Sequence, residues 1–106
     1  MEEIDFRSGR VKFVLPADAF DENDDEDLLS VEYPNGFHLF LSWSIGRKIF
    51  SVEIKRDMTE YVTYVTHNRN MVVPLLSEAI ERVERESRDA TPYYGTLWKA
   101  VTIIRE

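Results

Sequence analysis

Phe37-His38-Leu39-Phe40-Leu41-Ser42-Trp43-Ser44 decides the fold of this chain. Phe37, Leu39, Leu41 and Trp43 alternate with His38, Phe40, Ser42 and Ser44, the period of two that turns one face of a strand to a core and the other away from it. Just upstream, Asn35-Gly36 suits a tight turn that needs positive φ at both central positions, with Pro34 lengthening the loop. Before it, Leu29, Val31 and Tyr33 alternate with Ser30 and Glu32, so Leu28 to Tyr33 reads as the partner strand.

Downstream, Ile45-Gly46-Arg47-Lys48 reads as a turn, and Ile49 to Lys55 as a strand with Phe50, Val52 and Ile54 on one face. Asp57 to Glu60 is a polar break, after which Tyr61 to Thr66 contains only Tyr, Val and Thr, a composition suited to a pleated surface. Four strands joined by short links predict an antiparallel meander.

The period changes after Asn70. Val72, Leu76, Ala79, Ile80 and Val83 recur three and four residues apart, with Val73 and Leu75 widening the stripe and Pro74 in the first turn, the pattern of an amphipathic helix. Its polar side offers Glu78 with Arg82, Glu81 with Arg85 and Glu84 with Arg88 as i, i+4 pairs, each worth about 0.2–0.5 kcal/mol. Thr91-Pro92 stops the helix. Leu97 to Ile104 is a final strand, with a short helix as the alternative, and Val11 to Leu15, closed by Pro16, is a first strand. The expected fold is α+β: residues 1–106 as one domain, an antiparallel sheet of five or six strands with one helix packed on one face.

One helix covers one face of such a sheet, so the other face, with His38, Phe40, Tyr61, Thr63 and Val65, is expected to be solvated or to meet a partner. Phe40 and Tyr61 are the candidate contacts there, and a homodimer through this face is one occupant.

The meander and the first strand are separated by an acidic loop over 17–27. Within it, Asp18, Asp21, Glu22, Asp24, Asp25, Glu26 and Asp27 carry as much charge as the whole chain, whose formal net charge is −7. Charge of this density disfavours compact structure and predicts a mobile, solvated loop. It also steers basic protein surfaces and repels nucleic-acid phosphate, so a basic protein partner is expected and direct nucleic-acid binding is not. Counting from Asp21, oxygens fall at positions 1, 3, 5 and 12 (Asp21, Asn23, Asp25, Glu32), the ligand spacing of an EF-hand calcium loop, but Glu26 stands where that loop requires glycine.

Hydrophobic residues at 43% and charged residues at 31% describe a folded, soluble domain. No cysteine is present, no stretch is long and apolar enough to span a bilayer, and the N-terminal residues lack a basic flank and apolar run, so a cytoplasmic location is expected. Phosphate-loop, dinucleotide, nucleophile-elbow and zincin motifs are lacking, and no cofactor is expected. His38 and His67 read as structural or surface histidines, Asn68 and Asn70 as turn and helix-cap residues. Tyr93, Tyr94, Gly95 and Trp98 form an aromatic group suited to core-edge packing. Arg47, Lys48, Lys55 and Arg56 form two separate basic rims.

The leading expectation is a small interaction module that presents residues 18–27 to a basic partner, as immunity proteins, antitoxins and nuclease inhibitors do. The alternatives are a small enzyme or ligand-binding domain with its pocket between sheet and helix, and weak divalent-cation binding by the acidic loop.

Overall fold

The alternating segment 37–44 forms a strand, and its sequence neighbours pair with it in chain order. The computed structural model describes residues 4–88 and 100–106. Within them, β1 (Arg10–Val14), β2 (Glu26–Glu32), β3 (Phe37–Ser44), β4 (Ile49–Arg56), β5 (Thr59–Thr66) and β6 (Val101–Ile104) form one sheet in that spatial order. Among the described residues one α-helix, α1 (Val72–Glu86), lies on one face. The fold is α+β.

Strands β1 to β5 pair antiparallel, as the short links require. Strand β6 differs from the expected antiparallel sheet, because it lies parallel to β5, with Val62 opposite Val101. The helix explains this: it carries the chain back along the sheet to the end where β5 began, so the next strand must run the same way. The final segment is therefore a strand. The expected helix stop at Thr91-Pro92, the aromatic group 93–98 and the start of the last strand at Leu97 lie outside the described residues.

Local chemistry accounts for the turns. Asn35 (φ 60°) and Gly36 (φ 81°) take the positive dihedrals expected of them, and Pro34 extends the loop to three residues, closed by the Tyr33 amide on the Phe37 carbonyl at 2.8 Å. The polar break at 57–60 is shorter than expected. Asp57 (φ 51°) and Met58 (φ 63°) alone make a two-residue hairpin turn, so β5 starts at Thr59. The two turns touch: the Asp57 amide donates to the Gly36 carbonyl at 2.8 Å, leaving no room for a side chain at Gly36 against the Asp57 carboxylate. Asn35 Nδ2 also donates to the Ser87 carbonyl at 2.6 Å, which satisfies an acceptor just beyond the helix C-terminus.

The core lies between α1 and the inner sheet face. Leu75, Leu76, Ala79, Ile80 and Val83 of the helix meet Val31, Phe37, Leu39, Val52, Ile54, Val62 and Tyr64, all buried. At the helix N-terminus Asn68 accepts from the Asn70 amide at 2.9 Å, as its cap assignment anticipated. Of the three i, i+4 pairs, Glu84–Arg88 forms at 3.6 Å among the described residues. Glu78 turns to Arg105 (2.9 Å) and Glu81 to Arg7 (3.7 Å), while Arg82 hydrogen-bonds with the Tyr64 hydroxyl. A helical pair worth tenths of a kcal/mol yields to any tertiary partner in better geometry.

Three β-bulges interrupt the regular alternation. Each adds one residue to one strand, at Lys12 in β1, Leu28 in β2 and Tyr61 in β5. The last corrects an expectation. Tyr61 does not share the outer face with Phe40: its ring packs edge-on against Phe37 at 5.6 Å, and its hydroxyl donates to Glu86 of the helix at 3.2 Å. The bulge shifts the phase of β5 by one residue and turns Tyr61 to the helix side with Val62.

Gly36→Ala forces alanine into left-handed backbone and against Asp57, and is expected to lower the unfolding free energy by about 1–3 kcal/mol. Gly46→Ala, with open space around the added methyl, is expected to stay within about 0.5 kcal/mol of the parent when both variants are unfolded in urea.

Candidate functional site

A helix is about 10 Å across, while six strands at about 4.8 Å spacing span roughly 24 Å, so one helix covers about half of this sheet. Helix α1 packs over β3, β4 and β5. The inner face of β1 and β2 is left to other cover. Residues 4–9 supply part of it. Tyr33 donates its hydroxyl to the Phe6 carbonyl at 2.9 Å, and the Ser8 hydroxyl donates to Glu84 of α1 at 2.5 Å. Burial pushes the Tyr33 phenol well above its ordinary range, so it stays a neutral donor. Gly9 passes so close to Tyr33 and Val31 that a side chain there would collide with both.

Among the described residues the cover is incomplete, and a cavity of about 580 Å³ remains between sheet and helix. Leu28, Leu29, Leu41 and Phe50 form its floor, and Val72, Val73 and Leu76 of α1 form one wall. Ile4 and Phe6 form a second, and Val11, Val14, Leu15, Ala17 and Phe20 close the far side. Among the described residues every lining side chain is aliphatic or aromatic except Arg69. Two of the bulges build this lining. Val11 and Val14, three apart, would face opposite ways on a regular strand, and the extra Lys12 brings both to the cavity. The extra Leu28 does the same for the adjacent pair Leu28 and Leu29.

Arg69 stands in the short 3-10 turn before α1, exposed, with its guanidinium 5.3 Å from the centre of the Phe20 ring. Phe20 in turn packs against Trp43 (6.3 Å) and Phe50 (6.2 Å), which are themselves 4.6 Å apart. The cavity therefore offers apolar surface and one cation. Its lining carries no carboxylate, imidazole, hydroxyl or thiol among the described residues.

The acidic segment adjoins this cavity through Phe20. Asp18 lies in a 3-10 turn (Ala17–Ala19), Asp21, Glu22, Asp24 and Asp25 in the following turn, and Glu26 and Asp27 inside β2. All seven side chains are exposed except that of Glu26, which is half-buried. The expected mobile loop is shorter than 17–27 and is tied to its surroundings. Trp43 Nε1 donates to the Glu22 carbonyl at 3.0 Å, and the Ile45 amide to Asp25 at 2.9 Å.

The calcium-loop residues are not brought together. Asp21 caps the Asn23 amide at 2.9 Å, Asp25 holds Ile45, and Glu32 ends β2, roughly 20 Å along the strand from Asp25. Glu32 pairs there with Arg10 at 2.8 Å and His38 at 3.7 Å, and the Arg10 guanidinium holds its carboxyl below the usual range. No group of three or more metal-ligating side chains occurs among the described residues.

Phe40 is on the outer face, as expected, stacked on His38 at 6.0 Å with Lys55 5.5 Å from its ring. Tyr61 is not beside it, which removes half of the aromatic pair invoked for a dimer contact. His67 donates Nδ1–H to the Lys48 carbonyl at 3.2 Å, a structural role. No helix among the described residues is long and apolar enough to cross a membrane.

Sequence reading missed Arg69 and the five residues from Val11 to Phe20 that close the cavity. Phe20 carried a signal: a lone aromatic amid carboxylates needs a buried seat. The Ser8 hydroxyl and amide hold the Glu84 carboxyl below its ordinary value, so the contact stabilises the N-terminal wall above pH 4.5 and is lost as pH falls through the depressed value. Ser8→Ala is expected to raise the Glu84 titration midpoint in a carboxyl NMR titration and to shift acid loosening of residues 4–9 to higher pH. No protein-family model, curated protein or solved structure matches this chain.

Proposed function

We propose that this chain is a non-enzymatic binding module whose principal site is the apolar cleft between sheet and helix, taking one small apolar or amphipathic molecule. The cavity itself carries the reading. Its 580 Å³ lies within the range of about 300–1,000 Å³ typical of small-molecule sites, and six segments of chain converge on it. The walls are built by side chains that a simpler packing would have buried against one another. Of the earlier alternatives, the ligand-binding domain fits this geometry and the enzyme does not draw support from it. A cytoplasmic location belongs to the same reading, since a cysteine-free chain loses nothing under reducing conditions.

The neutral dye N-phenylnaphthylamine tests it, because its emission rises on entering an apolar site. Dye enhancement is expected with the parent chain and with Val101→Trp, at an exposed position on the opposite sheet edge. Val14→Trp, which extends a large ring into the cleft from a half-exposed position, is expected to weaken the dye at least about tenfold. No enhancement with the parent chain overturns the reading.

A second reading rests on a different observation. The carboxylates of Asp18, Asp21, Glu22, Asp24, Asp25 and Asp27 are exposed on a segment anchored by Trp43 and Ile45, a held acidic strip. Such a strip favours a basic protein surface, in the manner of an immunity protein, antitoxin or inhibitor. Capture of a basic partner from lysate is then expected at low salt and lost at high salt. Replacing the strip by Ser and Asn should abolish capture, and unchanged capture removes this reading.

A further inference from the structure

We infer that the molecule taken by the cleft is a free amphiphile with one anionic group, whose tail fills the cavity and whose head meets Arg69. The inference rests on the cleft reading above and adds the ligand's charge. Among the described residues Arg69 is the single ionisable one lining the cavity. Among the described residues its guanidinium has no carboxylate within ion-pair distance, although the chain carries 20 acidic residues against 13 basic ones. What it does have is the Phe20 face, 5.3 Å away. Cation–π contact fixes one side of the guanidinium plane and leaves its N–H edge to donate elsewhere. Phe20 is itself a wall of the cavity, so the cation is seated at the boundary between apolar interior and water.

A neutral ligand would leave that edge to water alone. An anionic head placed against it forms a charge-assisted, two-pronged hydrogen bond while the tail stays in the aliphatic lining. Asp18 and Asp21 flank Phe20 in sequence and oppose any anion at long range. Their effect on exposed charges is screened within about 8 Å at physiological ionic strength, whereas the guanidinium contact acts at hydrogen-bond distance. A cationic amphiphile would find the opposite balance, with Arg69 repelling its head at the mouth.

Dodecanoate, dodecanol and dodecylammonium share a tail and differ in head charge, and each is titrated below its micelle concentration against the dye-loaded parent chain. Trp43 supplies a second readout, since it touches both Phe20 and Phe50 of the lining. Dodecanoate is expected to displace the dye at the lowest concentration. Arg69→Gln is expected to weaken dodecanoate about tenfold or more while leaving dodecanol within about twofold, and Arg69→Lys to keep part of the preference. Equal binding of dodecanoate and dodecanol by the parent chain, or equal loss of both in Arg69→Gln, overturns the anionic assignment and leaves the cleft reading standing. Tightest binding of dodecylammonium overturns it as well, in favour of the acidic strip. Failure of all three probes and of the dye overturns both readings. Sedimentation of the chain with phosphatidylglycerol vesicles would replace the free amphiphile by a membrane surface, and its absence supports the free form.

Discussion

One helix cannot cover six strands, and most of what distinguishes this molecule follows from that mismatch in width. Helix α1 seals β3, β4 and β5 with Leu75, Leu76, Ala79, Ile80 and Val83, and there the core is filled. Over β1 and β2 the cover is improvised from irregular chain: residues 4–9 on one side and residues 15–20 on the other. Irregular chain packs less efficiently than a helix because its backbone polar groups must each find a partner. Tyr33, Glu84 and Leu28 supply several of these, through bonds to the Phe6 carbonyl, to Ser8 and to the Leu15 amide. The cavity is what such cover leaves behind.

The bulges determine which side chains that space sees. Strand alternation sends half the residues of β1 and β2 away from the helix. An extra residue at Lys12 and another at Leu28 reset the phase midway, so that apolar side chains before and after each bulge converge on one place. A third reset at Tyr61 serves the filled half, bringing a tyrosine to Phe37 and Glu86. The same device thus closes one end of the inner face and lines an opening at the other.

This explains what the sequence could disclose. Phe37 to Ser44 is a regular strand and was legible to the residue, as was the helical stripe from Val72 to Val83. Both obey a fixed period that twelve or fewer residues suffice to reveal. The Asn35-Gly36 turn was legible because its dihedrals demand those residues. Tyr61 was misplaced, and Val11 and Val14, read as part of a first strand, were not seen to share a face, because a bulge is a break in period that local composition does not announce. Arg69 was invisible for another reason: its significance comes from Phe20, far away in sequence, and only folding sets them together. The acidic run was conspicuous in sequence, yet what holds it is the Trp43 indole on the Glu22 carbonyl and the Ile45 amide on the Asp25 carboxylate.

Strand β1 has a further consequence for the molecule's behaviour in concentrated solution. It is one of the two edge strands, with Val11, Phe13 and Val14 each 43–50% exposed, and an exposed apolar edge is a template on which further chains can add strand by strand. Three of its features oppose such growth. The cations Arg10 and Lys12 repel a like edge, the bulge at Lys12 spoils a straight hydrogen-bonding row, and Pro16 ends the strand. The residue that gives the cleft its shape therefore also guards the sheet against polymerising, and a change at Lys12 acts on colloidal stability and on the cavity together.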